Sequence, residues 1–252
     1  MKKQLAALSL ACVLAPAALA QQETHRFSVG AEFTNGDYGG ASSDTSIFSI
    51  PFAYRLNSGP WRIGATIPWL MQDGPGNVNR DIGRFGPAGA SRSESGFGDL
   101  LLSGLRTLNI GSADYGLDVG ARLKLPTASR SNGLGTGEID VHFLAELYAI
   151  SGKFQPYGTV GYKILGEPSG TNLNNVFWVD LGITYRLSES RSVGAMWHGQ
   201  ERASSFGGPQ SELAGYYAMQ LDPQWRAQFY GLIGFADGSP DYGGGAFLSR
   251  SF

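Results

Sequence analysis

The three histidines of the chain are the first residues to consider for catalysis. His25, His142 and His198 are far apart in the sequence, whereas a serine nucleophile needs a nearby base that a third group holds in place. Ser103 and Ser249 lie in extended segments whose neighbouring residues supply no such base. A metal ion needs clustered ligands, which scattered histidines do not provide. The sequence therefore predicts neither catalytic residues nor a metal site, and it gives no reason to expect a cofactor.

Charged residues at alternate positions are more informative than the histidines. In residues 176–187, Asp180 and Arg186 fall on one face of a period-two pattern, and Phe177 and Ile183 fall on the other. A carboxylate and a guanidinium are not buried in a dry core without partners. This strand therefore needs water on one side and an apolar environment on the other, and the lumen and outer wall of a membrane β-barrel supply both.

About twelve segments show this period of two, and short and longer connections alternate between them. They cover residues 25–34, 44–57, 61–69, 96–109, 115–125, 139–149, 153–165, 176–187, 191–201, 212–221, 225–235 and 241–252. The longest connection is residues 71–95. Segment 96–109 contains the run Leu100-Leu101-Leu102, and we assign no faces to it. We predict an all-β fold: a transmembrane, antiparallel, up-and-down β-barrel of about 12 strands with both termini periplasmic.

The inward faces of these strands carry charges of both signs. The predicted lumen-lining residues are Arg55, Arg62, Asp118, Arg122, Lys124, Asp140, His142, Glu146, Lys163, Asp180, Arg186, His198, Glu212 and Arg226. They can pair across neighbouring strands and hold the wall together, or line a path and bias its selectivity. Four tyrosines on the same faces can offer rings to a solute or fill the lumen, namely Tyr148, Tyr157, Tyr216 and Tyr230.

The first twenty residues have the pattern of a secretory signal peptide. Lys2 and Lys3 precede an apolar stretch, and Ala18-Leu19-Ala20 is a small-x-small cleavage site. We expect residues 1–20 to be removed and residues 21–252 to form a single barrel domain. The one cysteine, Cys12, lies inside the signal segment. The net charge of −2 and the absence of a basic run give no case for nucleic acid as a partner.

The last residue, Phe252, is the terminal aromatic typical of bacterial outer-membrane barrels. This resemblance implies delivery by the barrel assembly machinery to the outer membrane, whose lipids are then a partner. Leu248 and Ala246 keep the apolar alternation back from the end, and Arg250 departs from it.

Two Gly-containing segments resemble a family of outer-membrane transporters named for the meta-pathway of phenol degradation. The first is Gly96-Phe-Gly98-Asp99. The second combines Lys124-Leu-Pro126-Thr127 with Gly135, Gly137 and Asp140. The resemblance implies a monomeric barrel that passes small solutes, often hydrophobic or aromatic ones. From the residues alone, Asp99 caps the loop end of its strand, and Pro126 stops pairing where the strand leaves the membrane.

Together these patterns favour a passive outer-membrane channel, with a mixed-charge lumen and outer loops, chiefly Met71 to Ser95, controlling access. Three alternatives remain open at this point. A soluble β-sandwich or barrel also alternates, but it places the apolar faces inside. A barrel that transports nothing would be structural or adhesive through its outer loops. An outer-membrane lipid hydrolase would need catalytic residues that the serine and histidine positions do not indicate.

Overall fold

The computed structural model describes residues 23–39 and 43–252, so the predicted signal peptide, residues 1–20, lies outside the described residues. The strands are β1 (Thr24–Gly36), β2 (Thr45–Ser58), β3 (Trp61–Gly74), β4 (Val78–Asn79), β5 (Gly83–Arg84), β6 (Arg92–Phe97), β7 (Leu100–Leu108), β8 (Tyr115–Leu125), β9 (Asp140–Ala149), β10 (Phe154–Ile164), β11 (Val176–Arg186), β12 (Arg191–Gln200), β13 (Gln210–Gln220), β14 (Trp225–Gly234) and β15 (Tyr242–Ser251). Within these described ranges no helix has the length and apolar character to cross a membrane.

The main sheet closes on itself because β1 pairs with both β2 and β15. Its pairings are antiparallel and follow the order of the chain, while β4 and β5 form a separate small hairpin. β6 and β7 both pair with β3 and together count as one wall strand, so the barrel has 12 strands. Arg26 at the start of β1 lies opposite Ser251 at the end of β15, which brings both ends of the barrel domain to one side. The predicted fold class is confirmed.

The apolar faces of the strands point outward. Phe154 is 65% exposed and Phe177 is 62% exposed, whereas Asp180, on the opposite face of β11, is only 3% exposed. A soluble β-protein would show the reverse arrangement. The exposed apolar groups therefore form the lipid-facing band of a membrane barrel, and the soluble alternative is wrong.

Aromatic side chains at the periplasmic edge of this band stack on arginines. The guanidinium carbon of Arg106 lies 5.5 Å from the ring centre of Trp61. That of Arg250 lies 5.5 Å from the ring of Trp225 and 4.7 Å from the ring of Phe252. Arg250 breaks the apolar alternation, but these rings hold its charged head at the edge of the band while its aliphatic stem faces lipid.

The fourth wall strand changes phase in its middle. Phe97 lies opposite Trp69 on β3, but Leu101 lies opposite Thr66, so one extra residue is accommodated between β6 and β7. This is a β-bulge at residues 98–99. The side chain of Phe97 is exposed on the outside, whereas that of Leu105 is fully buried inside. The bulge accounts for the poor alternation of segment 96–109.

The two ends of the predicted loop 71–95 are strand rather than loop. β3 continues to Gly74 and β6 begins at Arg92, and the two extend the wall by pairing with each other, Gly74 opposite Arg92. The connection is therefore residues 75–91. It contains the β4–β5 hairpin and folds into the barrel, where its contacts are described below.

The inward aromatic residues lie over glycines of the neighbouring strand. The directly opposed pairs are Tyr148 with Gly116, Tyr157 with Gly182, Trp178 with Gly161, Tyr216 with Gly194, and Phe247 with Gly30. A Cβ atom on any of these glycines would lie between 2.2 and 2.5 Å from the ring. The missing side chains let the rings lie against the wall, an arrangement that covers glycine backbone in β-sheets. Space is thereby kept in the centre of the barrel.

Candidate functional site: the barrel lumen

A buried cluster joins three strands at the periplasmic half of the lumen. Arg62 on β3 donates a hydrogen bond to Asp118 on β8, and its other terminal nitrogen lies 3.8 Å from Glu146 on β9. The hydroxyl of Tyr148 donates to the second carboxylate oxygen of Asp118 at 3.1 Å. All four side chains are buried. Because these charges are paired with one another across three strands, the cluster serves to hold the wall together, although Arg62 also borders the cavity described below.

A second cluster is centred on Lys124 of β8. Its ammonium lies 2.7 Å from Asp140 and 3.4 Å from Asp99, and it donates to the hydroxyl of Thr136 at 2.7 Å. The other oxygen of Asp140 accepts the backbone N–H of Gly166 at 2.8 Å. One buried ammonium therefore ties two carboxylates and two loops to the outer half of β8.

Both family segments meet at this cluster. The Asp99 carboxylate, at the bulge, accepts the backbone N–H of Ala128 at 3.0 Å. The Thr127 hydroxyl donates to the Gly98 carbonyl and accepts the N–H of Leu100, both at 2.9 Å. A Cβ at Gly135 would lie 2.8 Å from the Asp99 carboxylate, so this position requires a residue without a side chain. The motif residues thus join the bulge to the loop after β8, where strand pairing ends at Leu125, just before Pro126.

The connection 75–91, here called the inner loop, crosses the lumen to the opposite wall. Arg80 at its tip donates two hydrogen bonds to the Glu212 carboxylate on β13, at 2.8 and 2.5 Å. β13 lies five strand positions from β3 around the 12-strand barrel. A bidentate arginine–carboxylate pair fixes orientation as well as distance. The inner loop therefore bridges the barrel.

Asp81 forms the second contact with that wall. Its carboxylate accepts a hydrogen bond from Lys163 at 2.7 Å and lies 3.8 Å from His142, and its backbone carbonyl accepts from Lys163 and from Gln200. Burial alone would raise the pKa of Asp81, but the positive charge of Lys163 outweighs it and holds the pKa below its ordinary value. Asp81 is thus an anion at neutral pH and keeps the inner loop bound to β10 and β12.

Apolar contacts complete the seating of the inner loop. Ile82 and Phe85 are buried in one cluster with Leu165, Leu173 and Val176, which come from the loop after β10 and the start of β11. The Arg84 guanidinium adds two hydrogen bonds, one to the carbonyl of Gly76 within the inner loop and one to the carbonyl of Asp37, which follows β1. Charge pairs and apolar packing together hold the loop inside the barrel.

A cavity of about 270 Å³ remains beside the inner loop. Part of its lining is cationic, where Arg26, Arg55 and Arg226 keep surface open to it. Another part is apolar, where Met196 and Phe247 belong to a cluster with Tyr216, Tyr230 and Leu232. The cavity therefore offers a solute both charge and aromatic surface.

All of the predicted lumen-lining residues lie on the inward face of the barrel. Those whose side chains are buried are Arg62, Asp118, Lys124, Asp140, His142, Glu146, Lys163, Asp180 and Glu212. Those that keep partial exposure inside the barrel are Arg55, Arg122, Arg186, His198 and Arg226. The structure thus divides the set by exposure, although four residues of the buried group also border the cavity, namely Arg62, Lys124, Lys163 and Asp180. Arg122 is in the partly exposed group, with its guanidinium carbon 5.7 Å from the ring centre of Trp178.

The predicted set of lumen-lining residues leaves out four charged residues that border the cavity, although alternation in segment 25–34 places two of them, Arg26 and Glu32, on its polar face. Arg26 and Glu32 stand on the inward face of β1, so the period of two was a sufficient signal for both. Arg80 and Asp81 lie in a loop, where no periodicity exists to place them. Their partners on distant strands become apparent only in the folded chain.

The nearest approach to a catalytic arrangement is a histidine–aspartate pair. His198 Nδ1 donates to Asp180 at 2.7 Å, and the residues opposite His198 on the two neighbouring strands are Asp180 and Glu212. Both neighbours are carboxylates, and neither is the hydroxyl or thiol that a histidine base activates in a Ser–His or Cys–His pair. In the parts of the chain that the structure describes, no group of three or more His, Cys, Asp or Glu side chains is placed to hold a metal ion.

A closed 12-strand barrel with an apolar exterior and a polar lumen defines the class of outer-membrane β-barrels. The chain belongs to the family described as "Putative MetA-pathway of phenol degradation", whose model matches residues 27–252. The protein is accordingly located in the bacterial outer membrane.

Solved structures with a similar fold include two outer-membrane proteins. An outer-membrane channel from Pseudomonas putida F1 has a TM-score of 0.69 at 14% identity, over 93% of this chain and 97% of that one. The KdgM porin has a TM-score of 0.55 at 7% identity, over 90% of this chain and 99% of that one. At these identities the likeness concerns the fold. Among curated proteins, no sequence matches the chain significantly.

Proposed function

We propose that the protein is a passive channel that lets small solutes cross the outer membrane, with hydrophobic or aromatic solutes among them. The observation that carries this proposal is the cavity of about 270 Å³ inside a closed barrel, bordered by both charged and aromatic side chains. A concave site of this kind, largely apolar with a few polar groups, suits small organic molecules. The family description, which refers to phenol degradation, agrees with such solutes.

In this proposal the inner loop controls access to the cavity. Arg80 and Asp81 attach it to the wall opposite its own strands, so its position decides how much of the lumen is free. With the loop bound, we expect low conductance. Release of the loop from Glu212 and Lys163 would widen the path.

Planar-bilayer recording and liposome swelling test the channel function. The folded protein should conduct ions in small steps and admit small uncharged solutes. A variant in which residues 76–90 are replaced by a short Gly-Ser turn should give larger and more frequent steps. If both proteins are folded and neither passes ions or solutes, the channel function is wrong.

One alternative has a specific observation in its favour. The inner loop and the buried charge clusters fill much of the barrel interior, as they would in a structural or adhesive barrel that transports nothing. The variant with the shortened loop separates the two functions. A closed full-length protein with an open shortened variant indicates a gated channel, whereas two closed proteins indicate a non-transporting barrel.

We further propose that the protein is not an enzyme, because His198 is bordered by carboxylates. An ester-hydrolysis assay in detergent micelles checks this, and turnover that is lost in a His198→Ala variant would contradict it. We also propose a monomeric state, contact with outer-membrane lipids, and assembly directed by Phe252. The signal peptide stays a prediction, which N-terminal sequencing of exported protein tests by its start at Gln21.

A further inference from the structure

Two outward-facing arginines interrupt the apolar exterior of the barrel. Arg250 breaks the alternation at the end of β15, and Arg106 does the same near the end of β7. Both lie at the periplasmic edge of the lipid-facing band. A charged side chain on the lipid face is destabilising in the middle of the membrane and almost neutral near the interfaces. The edge position therefore makes the two charges tolerable, but it does not explain why they are present.

The two arginines are built into the wall in the same way. Arg250 lies directly opposite Trp225, the first residue of β14, and Arg106 lies directly opposite Trp61, the first residue of β3. In both cases the guanidinium carbon lies 5.5 Å from the ring centre of the tryptophan, and we call these the two Arg–Trp pairs. Tryptophan is enriched at membrane–water interfaces, where the head groups of the lipids lie. Each pair therefore holds a guanidinium group at head-group level.

Stacking on a ring leaves the hydrogen-bonding edge of a guanidinium group available. The ring contacts the face of the planar group, whereas its five N–H donors lie in the plane. One donor of Arg250 reaches the amide oxygen of Gln224 at 3.4 Å. Among the described residues, neither Arg106 nor Arg250 has a carboxylate within ion-pair distance. Asp222, the acid in the turn before β14, accepts the backbone N–H groups of Gln224 and Trp225 instead.

Exposed apolar side chains adjoin each pair on the side of the membrane interior. Ile63 stands two residues beyond Trp61 on β3, and Leu248 stands two residues before Arg250 on β15. Phe27, opposite Arg250 on β1, is exposed as well. These side chains belong to the lipid-facing band, so acyl chains of lipids lie beside both pairs. At the edge of the band, each arginine therefore meets the head groups that those chains carry.

We propose that each Arg–Trp pair binds the head group of one anionic glycerophospholipid of the periplasmic leaflet. The guanidinium group binds the phosphate, whose oxygens match its fork of donors, and the acyl chains lie against the apolar band. An anionic head group is favoured over a zwitterionic one because its phosphate has no ammonium group of its own to pair with.

The two sites are independent of each other and of the lumen. Arg250 on β15 and Arg106 on β7 are four strand spacings apart along the wall, about 19 Å, so each pair holds a lipid of its own. The inference rests on the proposed contact with outer-membrane lipids, and it does not depend on the channel function.

Native mass spectrometry of the mature protein, refolded from inclusion bodies into detergent micelles, tests the proposal by counting bound lipids. The probe is dioleoylphosphatidylglycerol. Dioleoylphosphatidylcholine has the same chains but no net charge, and dioleoylglycerol has the same chains but no phosphate. The wild type should retain two molecules of the phosphatidylglycerol and bind them at least tenfold more tightly than either of the other lipids. Glycerophosphoglycerol, the same head group without chains, should not compete at equal concentration.

Single substitutions should remove the sites one at a time. Arg106→Gln and Arg250→Gln should each leave one tightly bound lipid, and the double variant should leave none. Affinity at the altered site should fall about tenfold, the loss expected for a charge-assisted hydrogen bond. Arg191→Gln is the matched control and should retain two lipids. Arg191 is exposed at the periplasmic start of β12, but no ring lies under its guanidinium group in the part of the chain that the structure describes.

Three results overturn the inference: equal numbers of bound lipids in the wild type and the double variant, equal affinity for phosphatidylglycerol and either of the other lipids, or a loss in Arg191→Gln as large as that in Arg250→Gln. Folding of each variant is checked by its heat-dependent migration on a gel. Arg250 contacts the ring of the C-terminal Phe252. If Arg250→Gln does not fold for that reason, Arg106→Gln decides the test, and two retained lipids in that variant overturn the inference.

The same experiment separates this inference from the proposals on which it borders. If no lipid binds at all, the proposed contact with outer-membrane lipids is wrong as well. If lipids bind without preference for the head group, only the two Arg–Trp sites are wrong. Binding in micelles needs no open path, so a protein that retains two lipids but passes no solute contradicts only the channel function.

Discussion

The pair between Arg80 and Glu212 provides the sharpest test of how the inner loop is held. In an Arg80→Gln variant with the loop in place, the Glu212 carboxylate is left buried without its charged partner. The side chain of Glu212 is 2% exposed and that of Arg80 is 17% exposed. Breaking a buried pair by removing one partner costs about 3–5 kcal/mol. Because Arg80 is partly exposed, we expect a cost at the lower end of this range, about 3 kcal/mol. When the loop is released, Glu212 faces water and this cost disappears.

A cost of about 3 kcal/mol shifts the equilibrium between bound and released loop about 100-fold toward release. The shift should appear in single-channel records as a large increase in the fraction of time spent in the wider conducting state. Glu212→Gln should act in the same direction. The double variant, whose two amides can hydrogen-bond to each other, should recover part of the closed population, as a double-mutant cycle measures.

Arg92→Gln is the control for this experiment. Arg92 lies 3.5 Å from Glu94 beside the same loop, but its side chain is 46% exposed. Exposed pairs contribute little, about 0–1 kcal/mol, so this variant should behave as the wild type does. If Arg80→Gln and Arg92→Gln give the same open fraction, the Arg80–Glu212 pair does not hold the loop.

Three further predictions concern the wall of the barrel. In Gly194→Ala, the added methyl group would clash with the ring opposite it, and the free energy of unfolding should fall by about 1–3 kcal/mol. Gly215→Ala, which has open space around the added methyl group, should leave the free energy of unfolding unchanged. Urea unfolding in lipid vesicles compares the two variants. Leu181→Arg places a charge in the middle of the lipid-facing band and should lower the free energy of unfolding by about 2–4 kcal/mol in the same assay. Leu187→Arg lies beyond the strand end and should lower it by only about 0–1 kcal/mol. Equal losses would contradict the membrane position of β11. Lys124→Met leaves two buried carboxylates without their cation and should destabilise the barrel by about 3–5 kcal/mol, and a neutral effect would show that the cluster adds no stability.

The wall of the barrel could be predicted from sequence because alternation is a local property. In β11, the side chains of Phe177 and Asp180 fall on the expected faces since each face meets a single environment, lipid or lumen. The pattern failed at residues 96–109, where the bulge adds one residue and reverses the phase within a single strand. A phase reversal in a short segment looks the same as an absence of alternation.

The inner loop could not be predicted in the same way. A polar loop is expected to lie in water, and no residue close to Arg80 in the sequence indicates that its partner is Glu212. Its inward position depends on carboxylates and a lysine that belong to the opposite wall. The family segments were found from their residues, but their physical role appeared only when Asp99 and Ala128 came together.

The inner loop also sets an order for assembly. Arg80 and Glu212 are separated by 132 positions in the chain, and Asp81 and Lys163 by 82. Neither hydrogen bond can therefore form until most strands of the wall have paired. The hairpin of β3 and β6 should therefore insert its tip late, when the last strands have joined. In a partly assembled barrel, trypsin would be able to cleave at Arg80 and Arg84. In a time course of assembly, protection of these two sites from trypsin should appear later than the pairing of β1 with β15.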